Sequence, residues 1–415
     1  MLNWIQLLAG GVVLGASIVV AMAAPPRYWL LGPLLGVMGL AASLSAFGTI
    51  SREFATPQAI GVGLLFLVVG AATGYGLAAA SLPALAYHRP VAVIAAPEDH
   101  PEDNPSVVLL ACADTERYSP RAIAARGNEL AEGGAIRVPV AALPLVFFTE
   151  RARYRAAGGR SPAYAVVQAI AARLADTPPL AERRPNVHAA WCYSPPSLAS
   201  VVAECARNGS RTVAVVVLGS VDAEPVDHAR PELAGVKAHE AGVEVVFGPS
   251  VWNHRGLPDR LAERVIAAAQ GADYATTGVV LVSPGVPNAW ASRHLAAASE
   301  ENYFNQRVRL LLSEAGIDER MIRIAWLDWQ APDVTESVRH VVALGATRVV
   351  IAPSTIALPT ISTGLDIRQA VDLAHVPAGV ESVVLPAWGD DDVFVEAVAA
   401  SAEHALARGV KPATP

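Results

Sequence analysis

Thiolates bind metals, form disulfides and attack electrophiles, so the cysteines are the first side chains to weigh. There are three, Cys112, Cys192 and Cys205, widely spaced and without a CxxC pair. They offer neither a structural zinc site nor the four thiolates of an iron–sulfur cluster. An odd, sparse set also argues against a disulfide framework, and the three read as core cysteines of a reducing compartment. Gly158-Gly159 is the one glycine pair in a promising context. Neither GxGxxG nor GxxxxGK[ST] occurs, so dinucleotide and P-loop chemistry have no support. The net charge of −7, with no cluster of Lys and Arg, argues against nucleic acid as a partner.

The elements that must position any chemistry fall into two materials. Between Met1 and Ala86 the only charged side chains are Arg27, Arg52 and Glu53. Three apolar runs, Trp4 to Ala24, Tyr28 to Ile50 and Ala59 to Leu82, each reach the roughly 20 residues that an α-helix needs to cross a bilayer. Each carries a small-xxx-small pair: Gly11 with Gly15, Gly32 with Gly36, and Gly70 with Gly74. Such pairs allow close backbone approach and predict a compact three-helix bundle. Three spans place Arg27 and Arg89 on one side and Arg52 on the other, which by the positive-inside tendency puts the soluble part in the cytoplasm. Residues 87–106, rich in Pro and acids, read as a solvated linker in which His100 is a linker residue.

Beyond the linker, β-branched runs alternate with Ala-rich amphipathic stretches. Strands are predicted at 107–110, 212–218, 243–247, 278–282, 348–352 and 382–385. Helical patterns lie between them, notably 163–174, 259–269, 303–315 and 393–407. Two segments match each other. Ala190-Trp191-Cys-Tyr-Ser-Pro-Pro196 leads to a helix and then Gly209-Ser-Arg-Thr-Val-Ala-Val-Val. Ala325-Trp326-Leu-Asp-Trp-Gln-Ala-Pro332 leads to a helix and then Gly345-Ala-Thr-Arg-Val-Val-Ile-Ala, at the same interval. Ser197 and Asp333 are the caps of the two helices, with Glu336 completing a capping box. Two similar α/β halves follow, with a ligand cleft expected at their junction.

Two such halves resemble the ferrochelatase family of class II tetrapyrrole metal chelatases. Tyr154-Arg-Ala-Ala-Gly-Gly-Arg-Ser161-Pro162 is similar to that family's Y-R-x-I-G-G-x-S-P-L stretch, with Gln168 in the helix after it. Trp191-Cys-Tyr193-Ser-Pro-Pro196 resembles its M-R-Y-x-x-P segment, and Trp252-Asn-His254 its tryptophan-containing helix entry. Ser283-Pro284-Gly285-Val286-Pro287 stands where the family has S-A-H-G-L-P. Glu301-Asn-Tyr303-Phe-Asn-Gln306 matches G-D-P-Y-x-x-Q, and Trp329-Gln-Ala-Pro332 resembles W-L-x-P. Residues 345–353 and Ile361-Ser362-Thr363 track the segment that ends H-I-E-T-L.

The resemblance implies a porphyrin or heme ligand, iron(II) as a substrate metal, and a place in heme biosynthesis. It implies no required cofactor. A heme-pathway or membrane protein is the partner class it suggests. Metal insertion removes two pyrrole protons, and the family presents a neutral imidazole and a carboxylate for that work. Here the imidazole position is Pro284 and the carboxylate position Ser362, neither of which is a base. Pro359 and Thr360 replace the preceding Asp and His. The cleft residues implied are Ser283, Gly285, Pro287, Tyr193, Thr360 and Ser362. Asp366, four residues past Ser362, and His294, ten past Pro284, are substitute ligands to consider, as are Asp114 and Glu116 after the first strand. Each also has a plain reading as a surface acid or ordinary histidine. His188 and His254 lie near matched motifs.

The expected architecture is α/β, with two similar chelatase-like halves, each a parallel four-stranded sheet flanked by helices, behind a three-helix transmembrane segment. The expected boundaries are 1–86 for the membrane segment, 87–106 for the linker, 107–270 and 271–407 for the halves, and 408–415 for a tail. A catalytically silent tetrapyrrole- or heme-binding protein is the alternative function.

Overall fold

The computed structural model describes residues 2–53, 56–87, 104–219 and 224–409. Arg89, His100, most of the expected linker and nearly all of the tail lie outside the described residues. The chain divides into two compact units, one of Met1–His88 with Arg117–Arg160, the other of Arg89–Glu116 with Ser161–Pro415.

The first unit contains α1 (Leu2–Ala23), α2 (Leu31–Glu53) and α3 (Pro57–Ser81), all three long and apolar enough to cross a membrane. Helix α1 packs against both others through its glycines. A methyl group at Gly15 would meet the carbonyl of Ala71, and one at Gly74 the carbonyl of Val12. Large apolar side chains point the other way; Leu34, Met38, Val68 and Leu77 are exposed. This is the small-in, large-out pattern of helices that pack in lipid, where contact between backbones replaces the hydrophobic effect.

Two further helices, α4 (Pro120–Glu132) and α5 (Leu143–Ala156), complete this unit. They close the carboxyl end of α1, whose last carbonyls lack intrahelical partners. Tyr118 donates its hydroxyl to Ala23 O at 2.9 Å, and Arg151 Nη1 donates to Ala24 O at 3.2 Å. Tyr75 of α3 donates to Ala141 O at 2.7 Å, just before α5. The α1–α2 turn with Arg27 and the end of α3 therefore share one end of the bundle, and Arg52 lies at the other. Burial pushes the Tyr118 phenol up and the Arg151 guanidinium down from their ordinary values.

The second unit holds two parallel sheets. The first joins β1 (Ser106–Ala111), β2 (Asn186–Trp191), β3 (Thr212–Val217) and β4 (Glu244–Phe247) in the order β2-β1-β3-β4. The helices of this half are α6 (Ala163–Leu174), α7 (Leu198–Arg207), α8 (Glu224–Val236) and α9 (Gly256–Ala268). The second sheet joins β5 (Thr277–Ser283), β6 (Ile322–Trp326), β7 (Arg348–Pro353) and β8 (Glu381–Val384) in the same order, β6-β5-β7-β8. Its helices are α10 (Asn288–Ala291), α11 (Leu295–Glu314), α12 (Val334–Ala343), α13 (Ile367–Leu373) and α14 (Asp392–Gly409). The fold is α/β with two matching halves.

The repeat extends to local detail. Trp191 N donates to Pro196 O and Trp326 N to Pro332 O, closing the same loop after β2 and β6. Ser197 caps α7, and Asp333 with Glu336 forms a capping box on α12. Gly209 and Gly345 both take positive φ, the left-handed turn that ends a helix. One core runs through both halves, joining Val107, Leu109 and Val216 to Leu281, Phe304, Trp388 and Phe394. Helix α14 packs on β3 and β4, returning the chain's last element to the first half.

Three sequence expectations are corrected. Strands β2 and β6 lie outside the apolar runs because polar residues interrupt them, with Asn186 exposed and His188 and Arg323 half-buried. Helix α11 begins at Leu295 rather than near Tyr303, since its first turns are Ala-rich and carry no large apolar periodicity. Cys112 and Cys192 form a disulfide, with Cα atoms 4.9 Å apart, and only Cys205 is free. The pairing is invisible in a separation of 80 residues. It follows from register, because Ala111 lies opposite Trp191 and the next residues are the two cysteines.

Candidate functional site

In open parallel sheets the ligand crevice lies beyond the carboxyl ends of the strands. In the second half, β5 ends there in Ser283, which is fully buried. Its hydroxyl receives hydrogen bonds from Asn305 Nδ2 at 2.9 Å and Thr355 Oγ1 at 3.0 Å, and meets Ser354 Oγ at 3.1 Å. Ser354 and Thr355 follow β7, so the network ties the two central strands to α11. Asn305 is 1% exposed, yet its Oδ1 has no hydrogen-bond partner. A buried acceptor left unmade costs about 1–3 kcal/mol.

Asn305 lies on the buried stripe of α11 with Ala297, Phe304, Val308 and Leu312. Helical spacing puts Glu301 on that same stripe, one turn before Asn305. The carboxyl of Glu301 is half-buried, and burial, with the nearby Glu300 charge, pushes its pKa up to about 7. Glu300 is engaged differently, accepting from Ser250 Oγ at 2.6 Å.

In the first half the Cys112–Cys192 disulfide joins the ends of β1 and β2. Beside it, Tyr164 of α6 stacks on Trp191 with ring centroids 5.2 Å apart and planes 13° from parallel. Two residues past Cys112, Asp114 Oδ2 accepts the Ile361 amide at 2.6 Å and the Ser161 hydroxyl at 3.5 Å. A carboxylate from the first half thus caps a π-helical turn, Ser362–Asp366, in the second.

The sequence pattern of the ferrochelatase family matches residues 136–406, well over half of the chain. The chain belongs to the ferrochelatase family. A solved structure described as SirB from Bacillus subtilis with Fe3+ is similar at a TM-score of 0.44 and 14% identity, over 74% of this chain and 96% of that one. No curated protein matches the sequence.

Pro284, expected from the sequence at the family's imidazole position, is exposed, and its carbonyl accepts from Asp328 N at 3.2 Å. Gly285 has φ +82°, and a methyl group there would strike the Asp328 carbonyl, so this loop needs glycine for its backbone path. Pro287 is buried and precedes α10. Ser362, expected from the sequence at the family's carboxylate position, is half-buried and starts the π-helical turn; Asp366 ends it. Thr360 N donates to Thr363 Oγ1 at 2.7 Å, which folds this loop back on itself. Tyr193 is buried beside Cys192.

The other residues singled out in the sequence lie in several elements. His294 is buried just before α11, with its ring 6.3 Å from that of Trp290. His188 sits inside β2 opposite Val108, away from the strand's end. His254 follows the loop after β4, with Nδ1 buried and unpartnered. The Asp114 carboxylate is engaged by Ile361, and the Glu116 carbonyl accepts from Ser161 N at 2.9 Å. Gln168 is exposed on α6. Among the described residues no group of three or more His, Cys, Asp or Glu side chains could hold a metal ion.

Glu301 is the residue that motif reasoning passed over. It opens the Glu301–Gln306 match to the family. Its spacing from Ala297 and Asn305 was the available signal, but none of the three is apolar enough to mark a buried stripe.

Proposed function

We propose that the protein is a membrane-anchored tetrapyrrole metal chelatase, which holds a porphyrin at the carboxyl ends of its two sheets and inserts a divalent metal, iron(II), into it. Membership of the ferrochelatase family is the observation that carries this reading. The strand ends of both halves suit the ligand. The Tyr164–Trp191 stack offers a flat apolar surface to a planar macrocycle. The buried Ser283, Thr355 and Asn305 network fixes the strand ends of the second sheet. The apolar helices α1–α3 would keep the cleft at a bilayer, where free porphyrins partition.

The silent-binder reading draws on Pro284 and Ser362, which remove the family's own proton acceptors from the cleft. One experiment separates the two. Full-length protein in lipid nanodiscs is titrated with a free-base dicarboxylate porphyrin, then given zinc or anaerobic iron(II) while the absorption spectrum is followed. Metalloporphyrin formation above the protein-free rate supports the chelatase. Binding without insertion supports the silent holder, and absence of binding sinks both.

A further inference from the structure

On the sequence expectation that Pro284 and Ser362 replace the family's imidazole and carboxylate, metal insertion lacks a proton acceptor, and the carboxyl of Glu301 on α11 has no role assigned above. The hydrogen bond from Asn305 Nδ2 to Ser283 Oγ fixes that level of α11 beside the last residue of β5, adjacent to Pro284. A crossover helix between parallel strands runs antiparallel to them, so the first half of α11 projects beyond the strand ends. Glu301 therefore lies four residues, about 6 Å along the axis, beyond Asn305 toward the strand ends and on the same face. Among the described residues its carboxyl has no hydrogen-bond or ion-pair partner.

An acid in the buried stripe of a helix opposes folding, because the position calls for an apolar side chain. Directly below it, the unpaired Oδ1 of Asn305 is a second polar group that folding leaves unsatisfied. Two such groups in successive turns, beside the end of β5, set this stretch of α11 apart from an ordinary apolar stripe.

We propose that Glu301 is the proton-accepting carboxylate of this cleft, standing in for the imidazole lost at Pro284 and taking the pyrrole protons released when a metal enters the macrocycle. This rests on the chelatase reading above. The balance is simple. The free base gives up two N–H protons as four nitrogen–metal bonds form, and the divalent ion supplies the charge the protons carry away. Each proton passes from nitrogen to a Glu301 oxygen and then to water, and no redox partner is needed.

The surrounding charges leave that role open. Glu300 is held by Ser250 and is the charged neighbour that bears on Glu301. On α9, which packs against α11, Arg260 pairs with Asp391 and Glu263, and Arg264 donates to Pro386 O. Asp259 on α9 is exposed, and His254 lies in the loop before it. Arg309 on α11 itself pairs with Glu319.

The test uses the full chain in nanodiscs, a free-base dicarboxylate porphyrin and zinc, comparing the unmodified protein with Glu301→Gln and Glu301→Asp. Porphyrin affinity should stay within about twofold in both variants. Zinc insertion should fall by about a hundredfold or more in Glu301→Gln, the scale of a lost general base, with partial recovery in Glu301→Asp. In the unmodified protein the rate should rise with pH through neutrality, and that rise should vanish in Glu301→Gln. Insertion by Glu301→Gln at the unmodified rate and with the same pH profile overturns the role of Glu301 alone. No insertion by the unmodified protein overturns the chelatase reading and this proposal with it.

Discussion

Asp114 accepts the backbone hydrogen of Ile361 at 2.6 Å, so the loop after the first strand of one half holds the start of a π-helical turn in the other. A carboxylate at a helix amino end satisfies an orphan donor and meets the positive end of the helix dipole. Asp114→Ala should cost about 1–2 kcal/mol, the scale of a lost cap. Asp114→Asn should cost less, since its amide oxygen still accepts. Thermal melts should rank the three proteins in that order. Hydrogen exchange should speed up at residues 361–366 in Asp114→Ala while the amides of β1 stay protected.

Much of this arrangement was legible in the sequence. The repeat showed because Trp191 and Trp326, Pro196 and Pro332, and Gly209 and Gly345 serve the same backbone geometry in each half, and geometry constrains residue type. Central strands showed because both faces are buried, which demands unbroken apolar runs. Edge strands β2 and β6 showed only through their matched loops. The bond between Asp114 and Ile361 was illegible, since nothing local reports a contact between residues so far apart in the chain. The buried stripe of α11 was hidden because Glu301 and Asn305 occupy positions where an apolar residue signals burial.

Cys112 and Cys192 supply a prediction about compartment. Disulfides persist in oxidising surroundings and are rare in the cytosol. Protein taken from native membranes, denatured without reductant and treated with a maleimide, should label once, at Cys205, and three times after reduction. In the folded state Cys205 should label slowly, because burial pushes its thiol up to about 11. A single label before reduction places the domain on the oxidising side of the membrane, against the arginine count of the spans. Three labels would return it to the cytoplasm. Replacing both cysteines with serine should cost about 2–4 kcal/mol.

The glycines of the apolar helices differ in what surrounds them, and that difference can be measured. A side chain at Gly15 or Gly74 would enter the backbone of a neighbouring helix, whereas Gly48 and Gly76 have nothing within 4 Å of an added Cβ. Gly15→Val or Gly74→Val should destabilise the bundle by about 1–3 kcal/mol through overpacking. Gly76→Ala should be neutral. Reversible unfolding in mixed micelles, followed through the Trp4 fluorescence that Phe66 contacts at 5.4 Å, reports the difference. Equal effects at all positions would mean that α1 does not pack against α3 through these residues.

Glu301 ties the cleft to stability in a way independent of any ligand. Its carboxyl holds a proton more tightly in the folded chain, near pH 7, than the ordinary 4.5 of an unfolded one. Between those values the folded state binds more protons, so unfolding free energy falls as pH rises from about 4.5 to 7 and then levels off. The full cost at pH 8 is at most about 3 kcal/mol, and solvent reaching the half-buried group reduces it. Glu301→Gln should remove this slope, stabilising the protein at pH 8 while leaving it nearly unchanged at pH 4.5. Urea unfolding at the two pH values measures both quantities. An unchanged slope in the variant would mean that the Glu301 carboxyl is solvated like any surface acid, and that the stripe of α11 conceals no titrating group.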